Sequence, residues 1–250
     1  MALITHAFRV DLTMCTCGRW RTPRADKQFR RGFQIVNGLT LPYRVSQWLP
    51  LGYPPPHDTA RRRLLFMNIN MKKNLGVPSA IVNRVRRMVA GQLTSQARRL
   101  ELPKDEVMLA PPNMADPREA ARMASSSTFC ICPTGDSKGF TARFYTALLH
   151  GCLPVRIDGY QRNATLGPPV YPFPHLIDWS KIVVDVHYSE VHSLLPRLLA
   201  IPKSQVAHAQ QYLRRVSHWL LTDVPGHEHH DAPAALLHEL HVRLHVSDAN

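Results

Sequence analysis

Nowhere along its 250 positions does the sequence hold a run of about 18 apolar residues, which excludes a helical membrane span within it. Acids are scarce: 18 Asp and Glu stand against 31 Lys and Arg, a formal charge of +13. Such a balance points to an anionic partner, and a nucleoside diphosphate, an acidic glycan or a nucleic acid would each meet that need. Fourteen histidines raise the charge further in a mildly acidic compartment. Zinc-finger spacing is missing. Cys15-Thr16-Cys17 lacks two further ligands nearby, and Gly226-His227-Glu228-His229-His230-Asp231 has no flanking ligand on a helix or strand, so it reads as a polar loop. Ala2 to Val10 is too short and too polar for a signal peptide. A Walker A loop is missing as well, because Lys138 precedes Gly139 and lies too close to Gly135.

What is there is an ordinary globular composition, 44% hydrophobic and 20% charged. The stretch from Ser125 to Ile157 organises it. Thr128 to Cys132 reads as a buried strand that stops at Pro133 and Gly135. A polar loop follows, and then a helix from Thr141 to His150, with Phe144, Ala147 and Leu148 at helical spacing, Thr141 as N-cap and Gly151 just past the end. Leu153 to Ile157 is a second buried strand. This is a βαβ unit, whose strands should be parallel and whose ligand should bind at the carboxyl ends of the strands. The loop Gly135, Asp136, Ser137, Lys138 and Gly139, with Arg143 behind it, is read as a phosphate-binding loop: loop and helix-start nitrogens offer positive potential, and Lys138 and Arg143 add charge. A plain connection with solvated cations is the bland alternative.

The residues Ser127, Phe129, Cys130, Pro133, Gly135, Arg143, Tyr145, Ala147, Leu148, Gly151, Cys152, Pro154 and Val155 match, in order and spacing, a motif of the exostosin family. The stretch therefore resembles the family-47 glycosyltransferases, inverting enzymes that include heparan sulfate polymerases and plant wall-polysaccharide transferases. Leu41-Pro42-Tyr43, Arg63-Leu64-Leu65-Phe66, Pro172-Phe173 and Ile177-Asp178-Trp179-Ser180-Lys181 resemble flanking family segments in the same order, so the similarity runs from about residue 29 to 219. Two positions depart from the pattern. Thr146 stands where the family carries a carboxylate for the donor ribose, and Asn68, Ile69 and Asn70 stand where a glycine lets the donor approach the backbone.

Around this unit the chain divides into an irregular segment 1–28, a Pro- and aromatic-rich segment 29–60, a nucleotide-sugar-binding domain 61–222, and a His-rich loop with a terminal helix at 223–250. Arg61-Arg62-Arg63 reads as a solvated entry to the strand Leu64 to Ile69, with phosphate binding as its alternative. A long helix is expected from Ser79, as cap, to Leu100, buried through Ile81, Val85, Met88, Val89 and Leu93 and basic on its other side. Arg84 on that helix is, by resemblance, a diphosphate contact near its first turn. Val107 to Ala110 should be a strand and Asp116 to Ala124 a helix. A strand at Ile182 to Val186 and helices at Tyr188 to Ala200, Lys203 to Leu221 and Ala234 to His245 complete the list. Asp178 is expected to be buried and to cap a short turn under Trp179, or else to orient the loop against the donor. Cys130, Cys132 and Cys152 read as buried thiols rather than metal ligands, although five cysteines leave any disulfide pairing open.

These elements predict an α/β fold, a doubly wound, mostly parallel, Rossmann-like sheet. By resemblance it is the C-terminal, donor-binding lobe of a GT-B glycosyltransferase. The resemblance implies transfer of a sugar from a nucleoside diphosphate sugar, a UDP-sugar above all, to a glycan or glycoprotein acceptor with inversion. The diphosphate would be held by Arg84, Gly135, Asp136, Ser137, Lys138, Gly139 and Arg143, and the ribose side by Thr146. No metal or other cofactor is expected and no nucleic-acid partner, although the charge keeps a basic nucleic-acid-binding module as a rival and Thr146 keeps a non-catalytic binding protein as another. Family members are Golgi membrane proteins, so by resemblance the membrane anchor and the acceptor lobe are expected outside this chain, with a partner chain supplying the lobe as one alternative. Asn163, in Asn163-Ala164-Thr165, is the glycosylation candidate in such a lumen.

Overall fold

The structure is a computed structural model that describes residues 61–68, 77–110, 117–133, 142–158, 171–221 and 231–247. The segments 1–60, the predicted loop at 134–141 with Thr141, the candidate Asn163 and the His-rich tract up to His230 lie outside the described residues.

Five strands form one sheet: β1 (Arg63–Asn68), β2 (Val107–Ala110), β3 (Ser127–Pro133), β4 (Leu153–Asp158) and β5 (Val184–His187), in the order β2-β1-β3-β4-β5. Every pairing is parallel. A parallel sheet needs both faces covered, and its inner strands accordingly read as continuous apolar runs: Leu65, Phe66 and Met67 in β1 and Phe129 to Cys132 in β3 are buried. The helices are α1 (Val77–Arg99), α2 (Pro117–Ser125), α3 (Ala142–Leu149), α4 (Leu194–Leu199), α5 (Lys203–Val216) and α6 (Ala232–Ser247). Right-handed crossovers and the reversal of winding after β2 put α1 on one face and α2 and α3 on the other. Packing agrees: α1 lies against β2, α4 and residues 188–193, whereas α2 and α3 lie against each other. The α/β class is as predicted.

Several predicted boundaries move. The long helix starts at Val77, two residues before the expected cap Ser79, with Pro78 in its first turn, where a missing N–H costs nothing. β5 starts at Val184 rather than Ile182, because Trp179–Lys181 forms a 3-10 turn whose first carbonyl, Trp179 O, takes the amides of both Ile182 and Val183. The expected helix at 188–200 opens as a 3-10 turn (Tyr188–Ser193), and the one at 203–221 closes as another (Ser217–Leu220). Buried Gln96 locks α1 onto that first turn: its Nε2 donates to Val191 O at 2.8 Å, and its Oε1 accepts from Leu195 N at 2.9 Å.

Two corrections concern chemistry. Cys130 and Cys152 are not free thiols but a disulfide, with Cα atoms 5.8 Å apart, that staples β3 to the entry of β4; Cys132 is free and buried, as expected. The triple arginine is not uniformly solvated. Arg61 is partly buried at the amino ends of the strands, where its guanidinium donates to the carbonyls of Ala124, Ser127 and His150, while Arg62 is exposed and Arg63 donates to Ser126 Oγ at 2.7 Å. That end of the sheet is opposite the predicted ligand loop, so the phosphate alternative falls for Arg61.

Candidate functional site

In an open parallel sheet the ligand crevice lies outside the carboxyl ends of the strands, where the winding reverses. Here the reversal falls between β1 and β3, whose last residues are Asn68 and Pro133. α3 follows β3 and brings its first turn to that crevice.

α3 is sunk into the domain on most sides. Phe144, Tyr145, Ala147, Leu148 and Leu149 are buried, and among its described side chains only Arg143 and Thr146 are half-exposed. Those two are three residues apart and share one face of the helix. Both were nominated by the sequence. Burial pushes the Cys132 thiol up to about 12, with the Arg143 guanidinium pulling the other way. Arg143 stands in the first turn of α3, the turn that follows the carboxyl end of β3. Thr146 stands one turn deeper.

The end of α3 is firmly fixed. Gly151 has φ +67°, and the amides of Cys152 and Gly151 return to the carbonyls of Ala147 (2.9 Å) and Leu148 (3.0 Å), the paired bonds of a Schellman stop. A Cβ at Gly151 would come within 2.5 Å of Arg61 Nη2, so glycine is required twice over. Gly151 thus sits past the helix end as predicted.

An aromatic and ionic brace holds the flank of α3. Phe144 lies 5.9 Å from Trp179, Trp179 stacks on Tyr171 at 4.9 Å, and the indole N–H donates to Pro172 O at 2.8 Å. The Tyr171 hydroxyl donates to the Asp185 carboxylate, 3.0 and 2.9 Å from its two oxygens, and buried Arg156 reaches the same carboxylate through Nε at 2.6 Å. Burial raises the Tyr171 phenol above its usual value; Arg156 opposes this and Asp185 adds to it. Sequence reasoning missed this network, because its members come from β4, β5 and an irregular stretch with no motif in common. The strand alternation of Arg156 against Val155 and Ile157 was the one available signal.

Arg84 is exposed and lies seven residues past the start of α1 at Val77, about 10 Å along the axis. One expectation is corrected. Asp178 is not a buried cap. It is exposed, accepts from Ser180 Oγ at 2.5 Å and pairs with Lys181 at 3.0 Å, which together hold its carboxyl below the usual range, the Ser180 bond foremost. Its backbone N–H donates to Tyr212 Oη at 2.8 Å. Among the described residues there is no cluster of His, Cys, Asp and Glu able to hold a metal ion, and no helix is long and apolar enough to cross a membrane.

A parallel sheet wound in this order, with helices on both faces, defines a doubly wound α/β domain. The chain belongs to the exostosin GT47 family: the model of the Exostosin GT47 domain matches residues 57–201, within the span that the motifs delimit. A probable glycosyltransferase of Arabidopsis thaliana is 29% identical over 141 residues, 56% of this chain and 28% of that protein. A second one from the same plant is 32% identical over 124 residues, 49% of this chain and 20% of that protein. The match thus spans less than a third of the length of these relatives. The crystal structure of TarM aligns with a TM-score of 0.42 and 11% identity, covering 87% of this chain and 41% of that one.

Proposed function

We propose that this chain carries the donor-binding half of an exostosin-type glycosyltransferase, a GT-B lobe that takes part in moving a sugar from a nucleoside diphosphate sugar to a glycan hydroxyl with inversion. The observation that carries this reading is Arg143, half-exposed in the first turn of the helix that follows the carboxyl end of β3, in a domain of that family. As the glycosidic bond breaks, negative charge grows on the leaving diphosphate. A preset guanidinium, the start of α3 and the loop cations answer that charge without reorganising. In this reading Arg143 faces the phosphates with Lys138 and the nitrogens of residues 135–139, and a UDP-sugar is the donor. Arg84, two turns into α1, is left a longer-range contribution. The acceptor hydroxyl must lose its proton to a general base, which is assigned to the acceptor-binding lobe, on the same or a partner chain. The Cys130–Cys152 disulfide supports folding in an oxidising lumen, which suits the Golgi location of the family.

Isothermal titration of the chain with UDP tests the reading. Binding is expected in the wild type, with affinity reduced at least tenfold in Arg143→Ala, the size of one lost charge-assisted hydrogen bond. A folded wild-type chain that binds no UDP would refute it. Thr146→Glu should raise affinity severalfold by giving the ribose hydroxyls a carboxylate; no gain would mean that the hydroxyl at Thr146 is not what limits donor binding.

A further inference from the structure

The buried oxygen of Asn68 is a feature that the fold alone leaves unexplained. Asn68 closes β1 at the point where the winding reverses, and its Oδ1 is shut off from solvent with no hydrogen-bond partner among the described residues. Most buried acceptors in native proteins are paired, and an unmet one costs free energy that folding has to overcome. Its position is specific. β1 and β3 pair with Phe66 opposite Cys130, so continuing the register by two residues sets Asn68 level with Cys132 and on the same face of the sheet. That is the face of α3: Arg156, level with Cys132 in β4, lies over the Tyr171 ring, which packs against Phe144 of α3, and Arg143 stands in the first turn of that helix. The residue as a whole is only half-buried. Rotation about its terminal torsion is soft and can bring the oxygen round.

An amide oxygen can only accept a hydrogen bond, and phosphate oxygens at neutral pH have essentially nothing to donate. The two groups at the crevice therefore suit different parts of one ligand. We infer that Asn68 is a specificity-determining residue of this chain, its side-chain oxygen accepting a hydrogen bond from a neutral O–H or N–H of the nucleoside, while Arg143 takes the diphosphate. The inference rests on the donor-binding reading above and assigns the non-phosphate part of the ligand to a residue of β1.

The test sets UDP against inorganic pyrophosphate, each titrated into wild type, Asn68→Leu and Arg143→Ala, with the thermal midpoint of each ligand-free chain. Asn68→Leu should weaken UDP about tenfold, leave pyrophosphate unchanged and keep or raise the midpoint, because removing an unsatisfied buried oxygen relieves the fold. Arg143→Ala should weaken both ligands. Should Asn68→Leu bind UDP as wild type does, or should it lose several degrees of midpoint together with both ligands, Asn68 is a structural residue and the inference is wrong. Failure of wild type to bind either ligand would instead overturn the donor-binding reading itself, and this inference with it. Asn68→Ser, smaller and still an acceptor, should retain most UDP affinity if Leu fails to fold; loss of UDP binding by a folded Ser variant with pyrophosphate binding also lost overturns the assignment.

Discussion

The two ends of the sheet use the same residue type in opposite ways. At the amino end, Arg61 is enclosed by three backbone carbonyls and by a glycine that leaves room for it, and burial together with nearby Arg214 lowers its guanidinium to about 10. At the carboxyl end, Arg143 stands half-exposed on a helix whose other described side chains, Thr146 excepted, are buried, above a crevice edged by Asn68. One arginine completes the fold; the other stands half-exposed at the opposite end of the sheet. What separates them is which end of α3 and β3 each one meets. The carboxyl ends of α2 and α3 offer carbonyls that absorb a cation, whereas the amino end of a helix offers amides that do not.

Replacing Arg61 should have the largest effect on stability. Arg61→Leu would strand the carbonyls of Ala124, Ser127 and His150 and should lower unfolding free energy by about 3 kcal/mol, from two or more lost charged hydrogen bonds. Urea titration measures it, and UDP affinity of the folded fraction should stay as it was. A loss of UDP affinity as large as that of Arg143→Ala would erase the contrast between the two ends.

Next comes the staple beneath the crevice. Opening Cys130–Cys152 by the double change to Ala should cost about 3 kcal/mol, given a sequence separation of 22. A thermal midpoint unmoved by reductant in the wild type would show that the bond does not form or does not matter.

The smallest effect concerns Cys132, two residues from the staple on the same strand. Its thiol is pushed up from 9.0 to about 12, chiefly by burial. The unfolded chain therefore gives up this proton above about pH 9 while the folded chain keeps it, so the thiol's contribution to stability falls as pH rises across that window. Native protein should resist alkylation at pH 8 and react once unfolded. Arg143→Ala should raise the thiol further still, and a lowered value would mean that the guanidinium does not face β3.

Much of this was legible in the chain itself. The apolar run Phe129 to Cys132, the helical spacing of Phe144, Ala147 and Leu148, and Gly151 past the helix end dictated a βαβ unit locally, because strand burial and helix stops depend on near neighbours. Arg143 could be nominated as a cation behind the loop, and Thr146 by its place in the family motif. The parallel sheet followed from alternation of strands and helices, and the family from motif order. Tertiary structure alone decided the rest. It closed Cys130 with Cys152, enclosed Arg61, built the Arg156, Asp185 and Tyr171 brace, and turned Asp178 out to solvent. Each of these depends on which distant segments meet, and on how much water their meeting excludes. Neither quantity is carried by periodicity along a single element, and the unpaired oxygen of Asn68 becomes visible only when β1 is laid beside β3.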